Sequence, residues 1–303
     1  MESVPFLFCD EVCAVMKGLY ALVELTSDDS ICGIWKEAAE AVDKRRVTIQ
    51  VNINCKDGVW SYSIKKSYRI YKSAQNGIIR HVSITFQELK AISTRCVETS
   101  AVRIGCSYGN LHISTLNEVK EILKYSVPSV NLARMQIATD EEILEIPEDI
   151  LTELLSPFCN SSFSEIYNVI YSKAAEDFLR TQMESESLSK VVIKGHGWSD
   201  ELRVAIQRFA LTKPFFRVSI VDDPLGFSLK FIKKFFKKAC KVGEFSVAAR
   251  FDVDFERLRR FDKKLQIHSC HEEIVWRRTD GVEVKIKKLL LQHRLSIKFS
   301  CGN

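Results

Sequence analysis

Val47-Thr-Ile-Gln-Val-Asn-Ile-Asn54 alternates without a break: Val47, Ile49, Val51 and Ile53 fall on one face, and Thr48, Gln50, Asn52 and Asn54 on the other. A period of two belongs to a pleated strand, so the stretch predicts a half-buried β-strand; a helix would bring its apolar residues round every three or four positions. Asp57-Gly58 comes next, a pair that accepts the positive φ angles of a tight hairpin turn, and Trp60, Tyr62 and Ile64 then alternate with Ser61 and Ser63. Asn76-Gly77 repeats the device between Tyr68–Tyr71 and Ile78–Phe86. Residues 47–86 therefore read as an antiparallel meander.

Upstream the period is helical. Ser3 ahead of Pro5 is a suitable helix start, and Phe8, Val12, Val15 and Leu19 recur at three- and four-residue spacing. A second helix follows Ser27-Asp-Asp-Ser30, with Ile31, Ile34, Trp35, Ala38 and Val42 on one stripe and Lys36, Glu37, Glu40 and Lys44 opposite. Such short helices need a partner to pack against. The period changes to that of a strand just after Lys44-Arg-Arg46.

Downstream, strand-like runs alternate with helical ones, the pattern of parallel strands joined by helical crossovers. The candidate strands are Val82–Phe86, Val102–Cys106, Val130–Ile137, Phe163–Tyr171, Val191–Lys194, Phe216–Ile220, Phe245–Ala249 and Glu273–Trp276. Helical stripes are carried by Leu116, Val119, Ile122 and Leu123; by Leu202, Ile206 and Phe209; by Leu229, Ile232, Phe235 and Ala239; and by Leu258, Phe261 and Leu265. From Val191 the strand starts fall 25, 29 and 28 residues apart. That spacing suits a degenerate leucine-rich-repeat-like strand/helix solenoid, although Leu-x-x-Leu-x-Leu-x-x-Asn is missing; a single α/β layer gives a similar pattern. The strands from Val191, Phe216, Phe245 and Glu273 are expected to be adjacent and parallel, with residues 282–303 closing the end.

With 303 residues, 46% of them hydrophobic, the chain can bury a large core, and no apolar run approaches the length of a membrane span. Its ten cysteines are scattered with no Cys-x-x-Cys, which suits buried thiols in a reducing compartment. Neither a secretory signal nor membrane association is expected, which points to the cytoplasm or nucleus. The net charge of +5 conceals a polarity: residues 1–189 carry 19 Lys and Arg against 26 Asp and Glu, whereas residues 190–303 carry 25 against 13.

Motifs for chemistry are scarce. The phosphate-cradling, dinucleotide, serine-hydrolase and zincin signatures are all missing, so neither catalysis nor a cofactor is expected. Gly195-His-Gly197 lacks a third glycine, and Trp198-Ser-Asp200 reads as the start of a capped helix. His268-Ser-Cys270-His271 has ligand residue types but would need two further donors for zinc, so no metal is expected. Asp140-Glu-Glu142 with Glu145, Glu148 and Asp149 reads as charge complementing a helix start. Lys230, Lys233, Lys234, Lys237, Lys238 and Lys241 recur on one helical face, and Arg257, Arg259, Arg260, Lys263 and Lys264 follow one repeat later. They form either a cationic surface for nucleic acid or another anion, or the solvated face of helices whose core side holds Phe231, Phe235 and Phe236.

Val4-Pro5-Phe6-Leu7-Phe8-Cys9-Asp10, Ile34-Trp35-Lys36, Asp57-Gly58-Val59-Trp60-Ser61 and Trp276-Arg-Arg-Thr-Asp-Gly281 together resemble a lineage-expanded family of nematode F-box and F-box-associated (FTH-like) proteins. The resemblance implies a helical module over residues 1–46 that docks on the Skp-type adaptor of a cullin–RING ubiquitin ligase. Val4, Pro5, Phe8, Val12, Ile34 and Trp35 are its candidate adaptor-binding residues. Residues 87–303 would then recruit a protein substrate, and the ubiquitin chemistry would lie in the partners. Val4-Pro5 stands where that family's module has Leu-Pro, and phenylalanines replace its leucines. An interaction scaffold that has lost adaptor binding is thus the alternative within the family, and a basic nucleic-acid or anionic-ligand binder is the alternative outside it.

Overall fold

The computed structural model describes residues 6–15, 33–71, 77–92, 97–105, 111–137, 146–213, 216–221, 230–231, 234, 245–250, 266–269, 273–277, 282–289 and 294–301. The chain is mixed α/β and divides into two compact units, Met1–Phe163 and Ser164–Asn303.

The first unit opens with helices α1 (Phe6–Val15) and α2 (Ile34–Arg45), followed by the meander β1 (Val47–Lys56), β2 (Val59–Tyr71) and β3 (Gly77–Ile84). Asp57 and Gly58 take φ of 50° and 74°, the paired positive values that a two-residue hairpin requires. Thr85 then starts the one-turn helix α3 (Phe86–Lys90) through a capping box: its hydroxyl accepts the Glu88 amide, and the Glu88 carboxylate accepts the Thr85 amide. The rest of the unit is β4 (Val97–Ile104), β5 (His112–Ser114), α4 (Leu116–Ser126), β6 (Val130–Ile137) and α5 (Glu148–Leu155). Strand order is β6-β4-β1-β2-β3, with β4 and β6 parallel to β1; β5 pairs with β2 over Trp60–Tyr62, short of where β3 pairs with it.

β1 departs from the half-buried expectation. Ile49, Val51 and Ile53 are fully buried as the alternation predicts, yet on the opposite face Asn52 is also fully buried and Asn54 nearly so. On this polar face the residues match across strands: Ser63 of β2, Asn52 of β1, Arg103 of β4 and Gln136 of β6 stand in one row, and all but Arg103 are buried. Asn52 donates to the Ser63 hydroxyl at 2.9 Å and accepts from the Arg103 guanidinium at 3.0 Å. β4 begins earlier than the Val102 start read from the sequence, because a register shift after Thr99 interrupts its alternation. Thr99 points to the helix side, where its hydroxyl meets Ser129 and the Ser126 carbonyl.

The second unit runs β7 (Ser162–Ile170), α6 (Lys173–Glu184), β8 (Lys190–Lys194), α7 (Asp200–Thr212), β9 (Phe216–Val221), β10 (Phe245–Arg250), β11 (Gln266–Ser269), β12 (Glu273–Arg277), β13 (Val282–Leu289) and β14 (Arg294–Cys301). Strands β7, β8, β9 and β10 form a parallel row, with α6 and α7 side by side as crossovers. The sequence pattern had passed over α6, although Ala174, Ala175, Phe178, Leu179 and Met183 bury a regular stripe behind the Ser172 cap.

The fourth expected repeat strand breaks the row. β12, starting at Glu273, is not beside β10; it pairs antiparallel with β11 and β13, and β14 returns antiparallel beside β10. Short connections join β12, β13 and β14, and a parallel return would need a crossover of a dozen residues or so. The parallel repeat thus ends at β10, and the alternating segment after residue 282 does not close the end: β13 and β14 form a hairpin set between β10 and β12, and β11 is the outermost strand on that side among the described residues.

Replacing Asn52 by Ala removes an acceptor from Arg103 and a donor from Ser63 inside a sealed face. The expected loss is about 1–3 kcal/mol in denaturant unfolding. Thr48→Ala, on the same face of β1 at a partly exposed site, is expected to stay within about 0.5 kcal/mol. Equal costs would show that the row is not a buried network.

Candidate functional site

α1 and α2 pack against each other around small side chains. Cys9, Cys13, Ala38, Ala39 and Val42 form their shared core, with Ile34 and Trp35 half-buried at its border. Small residues at the contact let the two backbones approach closely, which leaves the larger side chains outside. Phe8 is 56% exposed and meets the Trp35 ring edge-on at 6.3 Å between centroids. Leu7 is 76% exposed and Phe6 38%. The buried line of α1 is therefore Cys9 and Cys13, one residue round from the stripe of Phe8 and Val12 read in the sequence, and Val12 is half-buried. Arg45 of α2 pairs with Asp10 of α1 and ties the two helices.

Of the six candidate adaptor-binding residues, the structure brings Phe8, Val12, Ile34 and Trp35 onto this helical pair; Val4 and Pro5 lie outside the described residues. Sequence reasoning gave Leu7 no role, and its signal was simply a third large apolar residue beside Phe6 and Phe8. Tyr62, which could have received these helices, is engaged elsewhere: its hydroxyl accepts the Phe86 amide and its ring lies against His112 at 5.3 Å. Burial pushes the Cys13 thiol up, as do Cys9 and Asp10, against a smaller pull from Arg46. A thiol held protonated is a packing group and a poor nucleophile.

Arg46, buried at the end of α2, also faces Glu98 of β4. Burial drives the Glu98 carboxyl above its ordinary value, Arg46 offsets part of that, and Oε2 of Glu98 has no hydrogen-bond partner.

The other sequence candidates are placed as follows. Lys230 and Lys234 are exposed and Phe231 is buried. Lys233, Lys237, Lys238, Arg257, Arg260 and Lys264 lie outside the described residues, as do Cys270, His271 and residues 140–145. Glu148 and Asp149 occupy the first turn of α5. Gly195-His-Gly197 is a loop-to-helix junction: Ser199 caps α7 by accepting the Leu202 amide, and the buried Glu176 carboxylate accepts the Ser199 amide at 3.2 Å. Gly197 adopts φ of 99°, and a Cβ there would meet the Tyr171 ring at 3.1 Å. The groove between α6 and α7 mixes Arg180, Arg208 and Lys213 with Glu184, Asp200 and Glu201, and so selects no charge.

No family model matches the chain, and no curated protein matches it. Among solved structures it is similar to the central domain of yeast acetyl-CoA carboxylase with a TM-score of 0.14 and 10% identity, over 98% of this chain and 59% of that one. A likeness that weak carries no argument about fold or activity. No helix among the described residues is long and apolar enough to cross a membrane.

The raised Glu98 value fixes the sign of a pH effect. The folded state favours the protonated carboxyl, so its stabilising contribution is complete below the ordinary glutamate range and is lost as pH rises through the raised value. Glu98→Gln, neutral at every pH, is expected to raise the melting temperature at pH 8 and to change it little at pH 4. A lower melting temperature at pH 8 would mean that attraction to Arg46 outweighs the burial cost.

Proposed function

We propose that this chain is a non-enzymatic protein–protein interaction protein, a substrate-recruiting adaptor of a Skp–cullin–F-box type ubiquitin ligase. In this reading residues 1–46 are the F-box-like module and residues 87–303 present a surface, in part leucine-rich-repeat-like, to a protein substrate. One observation carries it: α1 and α2 pack small side chains against each other and leave Phe6, Leu7 and Phe8 exposed, with the Phe8 ring against Trp35. Contiguous large apolar side chains on a surface are the mark of a protein-binding patch. Covering one of them is worth roughly 1.5–3 kcal/mol. The reading needs no cofactor or metal, and it goes with a cytoplasmic or nuclear location.

The test is binding of the full-length protein to a purified Skp-type adaptor, measured by calorimetry. Leu7→Ala/Phe8→Ala is expected to weaken binding by more than tenfold, with a melting temperature within a degree or so of wild type, since exposed residues contribute little to folding. Wild-type protein that does not bind sinks the adaptor reading and leaves an interaction scaffold. A double variant that binds normally would move the docking surface away from α1.

A further inference from the structure

We propose that the outer edge of β3 is a docking strand for an extended acidic segment of another protein, which adds to the sheet as a further strand. β3 pairs with β2 on one side, and no strand among the described residues pairs with its other edge. Residues 79–83 are all exposed, so nothing covers that edge.

Register decides which backbone groups face outward. Lys56 and Val59 close the two-residue turn and exchange both hydrogen bonds; such pairs recur at every second residue of an antiparallel ladder. Asn52 and Asn54 therefore bond to β2, and Ile53 turns to β4, where its carbonyl accepts the Gly105 amide at 2.8 Å. The same alternation, carried across β2, turns the backbones of Lys66 and Tyr68 to their partners Val82 and Arg80. Ile79, His81 and Ser83 are left with their N–H and C=O groups directed away from β2.

Edge strands normally carry a proline, a bulge, a short length or an inward charge that discourages pairing. β3 is eight residues long, contains no proline and keeps unbroken register with β2. It also exposes Ile79 and Val82, one on each face. What remains is charge of one sign: between residues 58 and 87 there is no Asp or Glu, against five Lys and Arg and one His. Arg80 shares a face with Val82 and Lys66, and His81 shares the other with Ile79 and Lys65. Glu88, the first acid after the strand, is turned onto the Thr85 amide and hydroxyl. A second copy of β3 would bring Arg80 and His81 against the same pair, and opposed like charges are destabilising. A strand with carboxylates opposite Arg80 and His81 and apolar side chains opposite Ile79 and Val82 meets the opposite sign and covers the exposed apolar groups. In such strand addition the main-chain bonds supply affinity and the side chains selectivity.

The test is fluorescence anisotropy of the full-length protein with a labelled Thr-Val-Glu-Glu-Val-Thr peptide. Saturable binding is expected, with the Thr-Val-Lys-Lys-Val-Thr peptide roughly tenfold weaker or more. Methylating the backbone nitrogen of the first glutamate, which faces β3 in either strand direction, is expected to abolish binding. Methylating that of the second is expected to leave it unchanged, because only alternate N–H groups of an added strand face its neighbour. Arg80→Glu is expected to weaken binding about tenfold, with melting temperature and adaptor binding unchanged, since the residue is exposed. Ser83→Pro removes an outward N–H that the ladder with β2 does not use, and is expected to abolish peptide binding. Should that variant fail to fold, Arg80→Glu and the methylated peptides still decide. The proposal is overturned if wild-type protein does not bind the acidic peptide, if the lysine peptide binds as well, or if the two methylated peptides behave alike. It is equally overturned if the protein alone forms a dimer that Arg80→Glu disperses, which would give the edge to a second copy.

Discussion

Strand β1 is paired on both edges and buried on both faces over residues 51–55, so every polar group it carries there must find its partner inside the protein. Asn52 shows how tightly this binds the first unit together. Its amide has to meet Ser63 on one side and Arg103 on the other, and those two contacts fix the register of β2 and β4 against β1. A slip of one residue on either strand would turn apolar side chains into the polar row and strand Asn52 against hydrocarbon. With β2 pinned, its length carries Tyr68–Tyr71 past the end of β1 with β3 as partner.

The same constraint explains the surroundings of Arg46 and Glu98. Both lie where α2 runs into β1, and the chain has to bring charged groups under cover to make that junction. Arg46 is shared between the helical pair and the sheet, so the carboxylate of Glu98 is only partly compensated. The helical pair obeys a different rule: close approach through Cys9, Cys13, Ala38 and Ala39 is incompatible with burying Phe8 in the same contact. The apolar rim of α1 is thus a consequence of how its core is built.

In the second unit, order comes from the crossovers. Ser172 and Ser199 cap α6 and α7, and Glu176, buried in the first turn of α6, holds the residue that caps α7. Each helix start is therefore registered to its neighbour. Gly195 and Gly197 provide the left-handed backbone needed to leave β8 and pass under Tyr171 and Trp198, whose rings meet edge-on. Where helical crossovers give way to hairpins, the sheet changes from parallel to antiparallel.

The sequence by itself determined the elements. Alternation at Val47–Asn54, the Asp57-Gly58 turn, the strands at Val130, Val191, Phe216 and Phe245, and the stripes of α4 and α7 are local properties, written in side-chain period and in which residues tolerate positive φ. Only the tertiary structure decided direction, depth and facing. The antiparallel course of β12 depends on which strand its neighbours reach. The sealing of Asn52 depends on Ser63, 11 residues away, and Arg103, 51 away. The turning of α1 onto its cysteines depends on what α2 offers it. Each of these is a relation between distant residues, and periodicity along a chain records what a residue prefers without recording what it meets.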